Sequence, residues 1–230
     1  MPHDTDRQQS SNAFARRREA QILWLLERHP VTAEMLVAIR LFGTKARASK
    51  RLKRLAEKKK LRLAGTASFK DGRPEHVYCR CRWVKADNLL HEVLISQVCF
   101  RTHADEVRRG PVEVDSVLRP DAELVIAGRR CLLELDLGTM GYEAVVTTRF
   151  AKYRSCPDLV LWVCPTPARM EGLRSRAAGI RGTALFTTID LALINPHAAI
   201  WKDFDGQTAA LPRGGKGGAN RGGVNSQPKS

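Results

Sequence analysis

The chain lacks the features that mark several protein classes. It has no run of about 18 apolar residues, so we expect no membrane-spanning helix, and the polar stretch 1–18 offers no apolar core for a secretory signal. Six scattered cysteines in 230 residues are atypical of a disulfide framework and favour reduced thiols. With only 6% aromatic residues, binding of single strands by base stacking is not favoured. These absences predict a cytoplasmic protein.

The positive charge is concentrated at one end of the chain. Residues 1–85 hold 21 Lys and Arg against 8 Asp and Glu, a net +13, whereas residues 86–205 hold 14 against 16, a net −2. Residues 206–230 add 4 cations and no acid. This distribution predicts two modules with different partners, and a basic module most often binds nucleic acid. We place the modules at 13–82 and 86–205, with a disordered basic tail at 206–230.

The basic module has the pattern of a winged helix-turn-helix. Apolar spacing predicts a helix from Ala13 to His29, a second one capped by Thr32 and a third, from about Lys45, capped by Thr44. Two strand-like runs flank the turn at 70–74, which would form the wing. In this fold the third helix enters the major groove of double-stranded DNA. The predicted DNA-binding residues are Lys45, Arg47, Lys50, Arg51, Arg54 and Arg73.

The apolar pattern of the second module predicts a mixed sheet with flanking helices. The whole chain is therefore expected to be an α/β (α+β) protein. A helix at 86–103 precedes strands at 112–118, 122–126 and 131–135. A helix at 141–154, a buried strand at 158–164, a helix at 168–178 and a strand at 184–188 follow.

Three carboxylates fall at the ends of two of these strands. The spacing of Asp121 and Glu134 around a turn at 128–130 predicts a hairpin that brings the two side chains together, with Asp136 two residues further on. Clustered carboxylates are costly unless a cation lies between them. Metal-dependent phosphodiester chemistry uses such an arrangement, so Mg²⁺ is the candidate cofactor.

The order of these elements, with Pro120-Asp121 and Glu134-x-Asp136, resembles the PD-(D/E)XK nuclease superfamily, in which a Lys usually stands where this chain has Asp136. Over residues 15–200 the chain resembles more closely the replication-relaxation family of bacterial plasmids and mobile elements. The residues that carry this resemblance are His91, Pro120-Asp121-Ala122, Leu133-Glu134-Leu135-Asp136-Leu137-Gly138-Thr139 and Lys152-Tyr153.

The resemblance implies a restriction-endonuclease-like domain in which Asp121, Glu134 and Asp136 bind metal and act in catalysis. Lys152 is the candidate replacement for the missing Lys, and His91 is interpreted as a structural hydrogen-bonding residue. A third carboxylate beside an anionic phosphate opposes attack, which favours a loss of cleavage.

The function that this implies is DNA binding in the replication, relaxation or transfer of a plasmid or mobile element. The expected partners are double-stranded DNA, plasmid replication or mobilisation proteins, and a second copy of the chain in a homodimer. Two alternatives stay open. One is an active Mg²⁺-dependent DNA endonuclease, and the other is a winged-helix transcriptional regulator whose second domain is not catalytic.

Overall fold

A computed structural model describes residues 4–69, 72–110, 118–177 and 183–213. The chain forms a mixed α/β structure with a seven-stranded mixed sheet and a separate two-stranded antiparallel sheet. Within the described ranges, no helix combines the length and apolar character needed to cross a membrane.

The N-terminal unit contains three helices and a hairpin, in the order that the sequence predicts. These elements are α1 (Asp4–Arg28), α2 (Ala33–Ala38), α3 (Lys45–Glu57), β1 (Arg62–Ala67) and β2 (Glu75–Cys79).

Both predicted caps start their helices. The hydroxyl of Thr32 accepts a hydrogen bond from the Met35 amide at 3.3 Å, and that of Thr44 accepts one from the Arg47 amide at 3.4 Å. Each cap satisfies one amide that lacks a partner inside its helix. A backbone bridge between Val31 and Tyr78 adds a third segment to the edge of the hairpin. The helices therefore pack beside a small sheet.

The large sheet keeps its seven strands in chain order. They are β3 (Glu106–Arg109), β4 (Ala122–Ile126), β5 (Arg129–Leu135), β6 (Leu159–Cys164), β7 (Ala184–Thr188), β8 (Trp201–Lys202) and β9 (Thr208–Ala209). The outer pairs are antiparallel, from β3 to β5 and from β7 to β9, while β5, β6 and β7 are parallel. Every residue of β6 is buried, as its continuous apolar sequence predicts.

Helices cover both faces of this sheet. They are α4 (Leu89–Arg101), α5 (Tyr142–Val145), a π turn (Val146–Phe150), α6 (Ala151–Tyr153), α7 (Pro167–Ala177) and α8 (Ile189–Ile194). One face of the sheet packs on α4 and α8. The other face packs on α7 and on the continuous helix that α5, the π turn and α6 form together.

The structure corrects the predicted boundaries of the chain. The predicted disorder from residue 206 is wrong up to residue 213, because β9 pairs with β8 and Leu211 is buried.

Some elements have no counterpart in the sequence prediction. These are the strands β3, β8 and β9 and the helix α8, which are short and whose apolar residues show no clear period. The N-terminal core extends past residue 82 and takes in Val84, Leu89 and Val93. The predicted strand at 112–118 falls almost wholly outside the described residues, as do 214–230 of the tail.

Candidate functional site

Strands β4 and β5 place Asp121 and Glu134 side by side. A two-residue turn at Ala127 and Gly128, both with positive φ (50° and 75°), joins the strands. Ala122 then pairs with Leu133, and Asp121 stands just before β4, where its amide donates to the Leu133 carbonyl at 3.0 Å. Asp121 and Glu134 lie close enough for one nitrogen of Arg149 to be within ion-pair distance of both. The structure therefore brings together the two carboxylates whose proximity the sequence predicts.

A guanidinium group lies between these two carboxylates. Nη2 of Arg149 contacts Oε2 of Glu134 and lies 3.6 Å from Oδ2 of Asp121. The hydroxyl of Tyr153 donates a hydrogen bond to Oε1 of Glu134, whose side chain is only 3% exposed. The ring of Trp162 closes one side, with its centroid 5.7 Å from the guanidinium carbon. Both oxygens of Glu134 thus have a protein donor.

His91 completes the group on the side of Asp121. Its Nε2 atom lies 3.4 Å from Oδ2 of Asp121 and 3.2 Å from the carbonyl oxygen of Leu135. The Leu135 amide also donates to Oδ2 of Asp121 at 2.8 Å. Burial alone would lower the pKa of His91, but hydrogen bonds to Asp121 and Glu92, together with their charges, raise this pKa to about 10. The imidazole is therefore a cation that ties α4 to the sheet.

We call Asp121, Glu134, Arg149, Tyr153 and His91 the acidic cluster. Burial, reinforced by the charge of Asp121, raises the pKa of Glu134, although Arg149 and Tyr153 oppose this shift. Burial and the neighbouring Glu134 also raise the pKa of the Tyr153 hydroxyl, so this group keeps its proton and acts as a donor. For Arg149, the charges of Glu134 and Asp121 outweigh the effect of burial and raise its pKa. The cluster thus contains two cations beside its two carboxyl groups.

Asp136 belongs to a different ion pair. The Arg169 guanidinium donates from Nε to Oδ2 of Asp136 at 2.6 Å and from Nη2 to Oδ1 at 3.2 Å. Nη2 also donates to the carbonyl oxygen of Met140 at 2.7 Å, and the guanidinium lies 4.5 Å from the centroid of the Tyr142 ring. The three predicted carboxylates are therefore split into a pair and a single residue, each with its own arginine.

Lys152 lies outside the acidic cluster. Its side chain is exposed, and within the described part of the chain no carboxylate lies within ion-pair distance of it. Arg149 takes the inward position, and the sequence contained a signal for this. Val145, Arg149 and Tyr153 are spaced four residues apart, so they share the face that packs on the sheet. No comparable signal pointed to Arg169.

The acidic cluster does not fit a divalent ion as it stands. In the ranges that the structure describes, no group of three or more His, Cys, Asp or Glu side chains is placed to hold a metal. A bridging ion needs carboxylate oxygens at about 2.0–2.6 Å, and Nη2 of Arg149 lies where such an ion would contact both Asp121 and Glu134.

Helix α3 carries five of the six candidate DNA-binding residues. Arg47, Lys50 and Arg54 are exposed and have no ion-pair partner among the described residues. Lys45 pairs with Glu34 and Glu75, and Arg51 pairs with Glu19. Arg73 is exposed, just before β2.

Comparisons with protein-family models, with curated proteins and with solved structures found no match for this chain. A functional assignment therefore depends on the geometry of the acidic cluster and of α3.

Proposed function

We propose that the chain binds double-stranded DNA through α3 and the β1–β2 hairpin. The order of three helices and a hairpin, with the extra bridge from Val31 to Tyr78, supports a winged helix. In that fold the third helix lies in the major groove and the hairpin contacts the backbone beside it. The net charge of +13 in residues 1–85 supports a polyanionic partner.

The observation that carries this proposal is the basic face of α3, whose cations have no ion-pair partner in the described part of the chain. Arg47, Lys50 and Arg54 occupy positions i, i+3 and i+7, so they form one stripe along the helix. Ala48 and Leu52 lie on a different face of α3, which is buried and packs in the core. Cations without protein partners are free to neutralise phosphates and to release condensed counterions.

The second unit has a supporting role in this proposal. Its antiparallel β4–β5 pair, followed by parallel β6 and β7, is consistent with the nuclease-like domain that the resemblance implies. Arg149 and Arg169 neutralise the carboxylates, and Lys152 lies elsewhere. We therefore favour a domain that does not cut and serves as a scaffold for DNA or for plasmid replication and mobilisation proteins. The resemblance supports the further step that the DNA belongs to a plasmid or mobile element.

A metal-dependent endonuclease is the second candidate, because Asp121 and Glu134 do lie close together, around one nitrogen of Arg149. Incubation of the protein with supercoiled DNA, with and without Mg²⁺ or Mn²⁺, distinguishes the two functions. Metal-dependent nicking that Glu134→Gln abolishes would favour the endonuclease.

The binding proposal is tested by the triple variant Arg47→Gln/Lys50→Gln/Arg54→Gln. Loss of three phosphate contacts should weaken binding to a labelled duplex and reduce the slope of log K against log salt by about 3. Fluorescence anisotropy over a series of salt concentrations gives both quantities. These residues do not pack in the core, so circular dichroism should be unchanged.

The matched control removes the same charge from the second unit. Arg129→Gln/Lys152→Gln/Arg154→Gln changes three exposed side chains for which the described residues show no ion pair. Its salt slope should change less than that of the α3 variant. Equal slopes for the α3 variant and the unmodified protein would refute the assignment of DNA binding to α3.

A further inference from the structure

We propose that Arg149 is a built-in counter-ion that takes the position a divalent cation would hold between Asp121 and Glu134, so that this pair of carboxylates requires no metal. The inference concerns the second unit and is independent of DNA binding by α3.

The position of the guanidinium is the first step. One nitrogen, Nη2 of Arg149, contacts Glu134 and lies within 3.6 Å of Asp121, so a single cationic atom serves both carboxylates. Two neighbouring carboxylates repel each other unless positive charge lies between them. A bridging metal would need the same space, because its ligand oxygens must approach to about 2.0–2.6 Å. The guanidinium and a bridging ion therefore exclude one another.

The surroundings of Arg149 hold it in this position. Its helix packs on the sheet through Val145, Phe150 and Tyr153, which fixes the backbone on both sides of the residue. The Trp162 ring lies beneath the guanidinium, which favours a cation at this point. The Arg149 side chain is 27% exposed, so neighbouring side chains do not enclose it fully. The charges of the two carboxylates hold the guanidinium in place.

The Arg169–Asp136 pair provides an internal comparison. Arg169 also neutralises a buried carboxylate, whose side chain is 3% exposed, but it contacts one carboxylate and not two. Removal of Arg169 thus leaves a lone carboxylate, which is a poor ligand set for a divalent ion. Removal of Arg149 leaves two neighbouring carboxylates, of which only Asp121 still has a cation, His91, beside it. The two arginines should respond differently to an added metal.

The experiment measures the melting temperature of the full chain in EDTA and in about 5 mM MnCl₂, a concentration at which native-state binding raises the melting temperature. The unmodified protein should show the same melting temperature in both buffers. Arg149→Met should melt lower by about 6–20 °C in EDTA, as expected for a broken buried ion pair in a chain of this size. Mn²⁺ should restore part of this loss, and it should fail to do so in Arg149→Met/Glu134→Gln.

Arg169→Met is the matched control, and it should be destabilised without recovery in Mn²⁺. A folded Arg149→Met protein that gains nothing from Mn²⁺ would overturn the proposal, since a vacated cation position should accept the ion. Should Arg149→Met fail to fold, calorimetric titration of the unmodified protein with Mn²⁺ decides the matter. Binding of one Mn²⁺ that Glu134→Gln removes would overturn the proposal, and no binding would support it.

Discussion

The Arg169–Asp136 ion pair permits a quantitative prediction about stability. The side chain of Asp136 is 3% exposed and that of Arg169 is 10% exposed, so water supplies little alternative solvation to either charge. Both oxygens of Asp136 accept from Arg169, and Arg169 also donates to the Met140 carbonyl. Arg169→Met keeps an unbranched apolar chain in place of the arginine stem but leaves the carboxylate buried and unpaired.

The expected cost follows from these contacts. Removal of one partner of a buried ion pair costs about 3–5 kcal/mol, because the remaining charge has lost both water and its partner. The hydrogen bond to Met140 adds about 0.5–1.5 kcal/mol. We therefore expect Arg169→Met to lower the free energy of unfolding by about 5 kcal/mol. The double variant Arg169→Met/Asp136→Asn should recover part of this loss, since it removes the unpaired charge.

Urea denaturation at neutral pH, followed by tryptophan fluorescence, measures these differences. Arg80→Met is the matched control: Arg80 pairs with Glu27, and their side chains are 39% and 48% exposed. Exposed pairs of this kind contribute about 0–1 kcal/mol. If Arg169→Met lowers the free energy of unfolding no more than Arg80→Met does, the reasoning is refuted. Such a result would mean that Arg169 does not stabilise the charge of Asp136.

Two further predictions concern buried positions. Burial, together with Arg109 and Arg28, lowers the pKa of His29 to about 3. Below about pH 6.5, His29 is therefore protonated in the unfolded chain but stays neutral in the folded one. The free energy of unfolding should be highest above pH 6.5 and should fall by about 2–3 kcal/mol between pH 6.5 and 4.5. His29→Phe, compared with the unmodified protein by denaturation across this range, should flatten the fall; an equal slope would contradict the prediction. A methyl group on Gly172 would lie 2.5 Å from the Tyr142 ring, so Gly172→Ala should destabilise the protein by about 1–3 kcal/mol, and a neutral result in urea denaturation would refute this close approach.

The parts of the fold that the sequence predicted are those set by local rules. Thr44 starts α3 because its side chain caps the helix, and β6 is a buried strand because its residues are all apolar. The proximity of Asp121 and Glu134 follows from the short turn that joins the paired strands β4 and β5.

The parts that it missed depend on distant segments. Arg169 meets Asp136 across 33 residues, and nothing near either residue indicates its partner. Lys152 is the sequence-based candidate because it falls at the edge of the apolar face of its helix, but Arg149 stands four residues from both Val145 and Tyr153. The pairing of β8 with β9 occupies two residues on each strand, which is too short for a periodic pattern.

Helix α4 belongs to both halves of the protein. Leu89 and Val93 complete the interior of the N-terminal unit, while Ile95 and Val98 pack against the large sheet. Truncation of the chain near residue 85 would remove core residues from the N-terminal unit and expose an apolar surface on the second unit. The two units should therefore unfold in one cooperative transition. A chimaera that replaces either unit with a domain of another protein would have to retain α4.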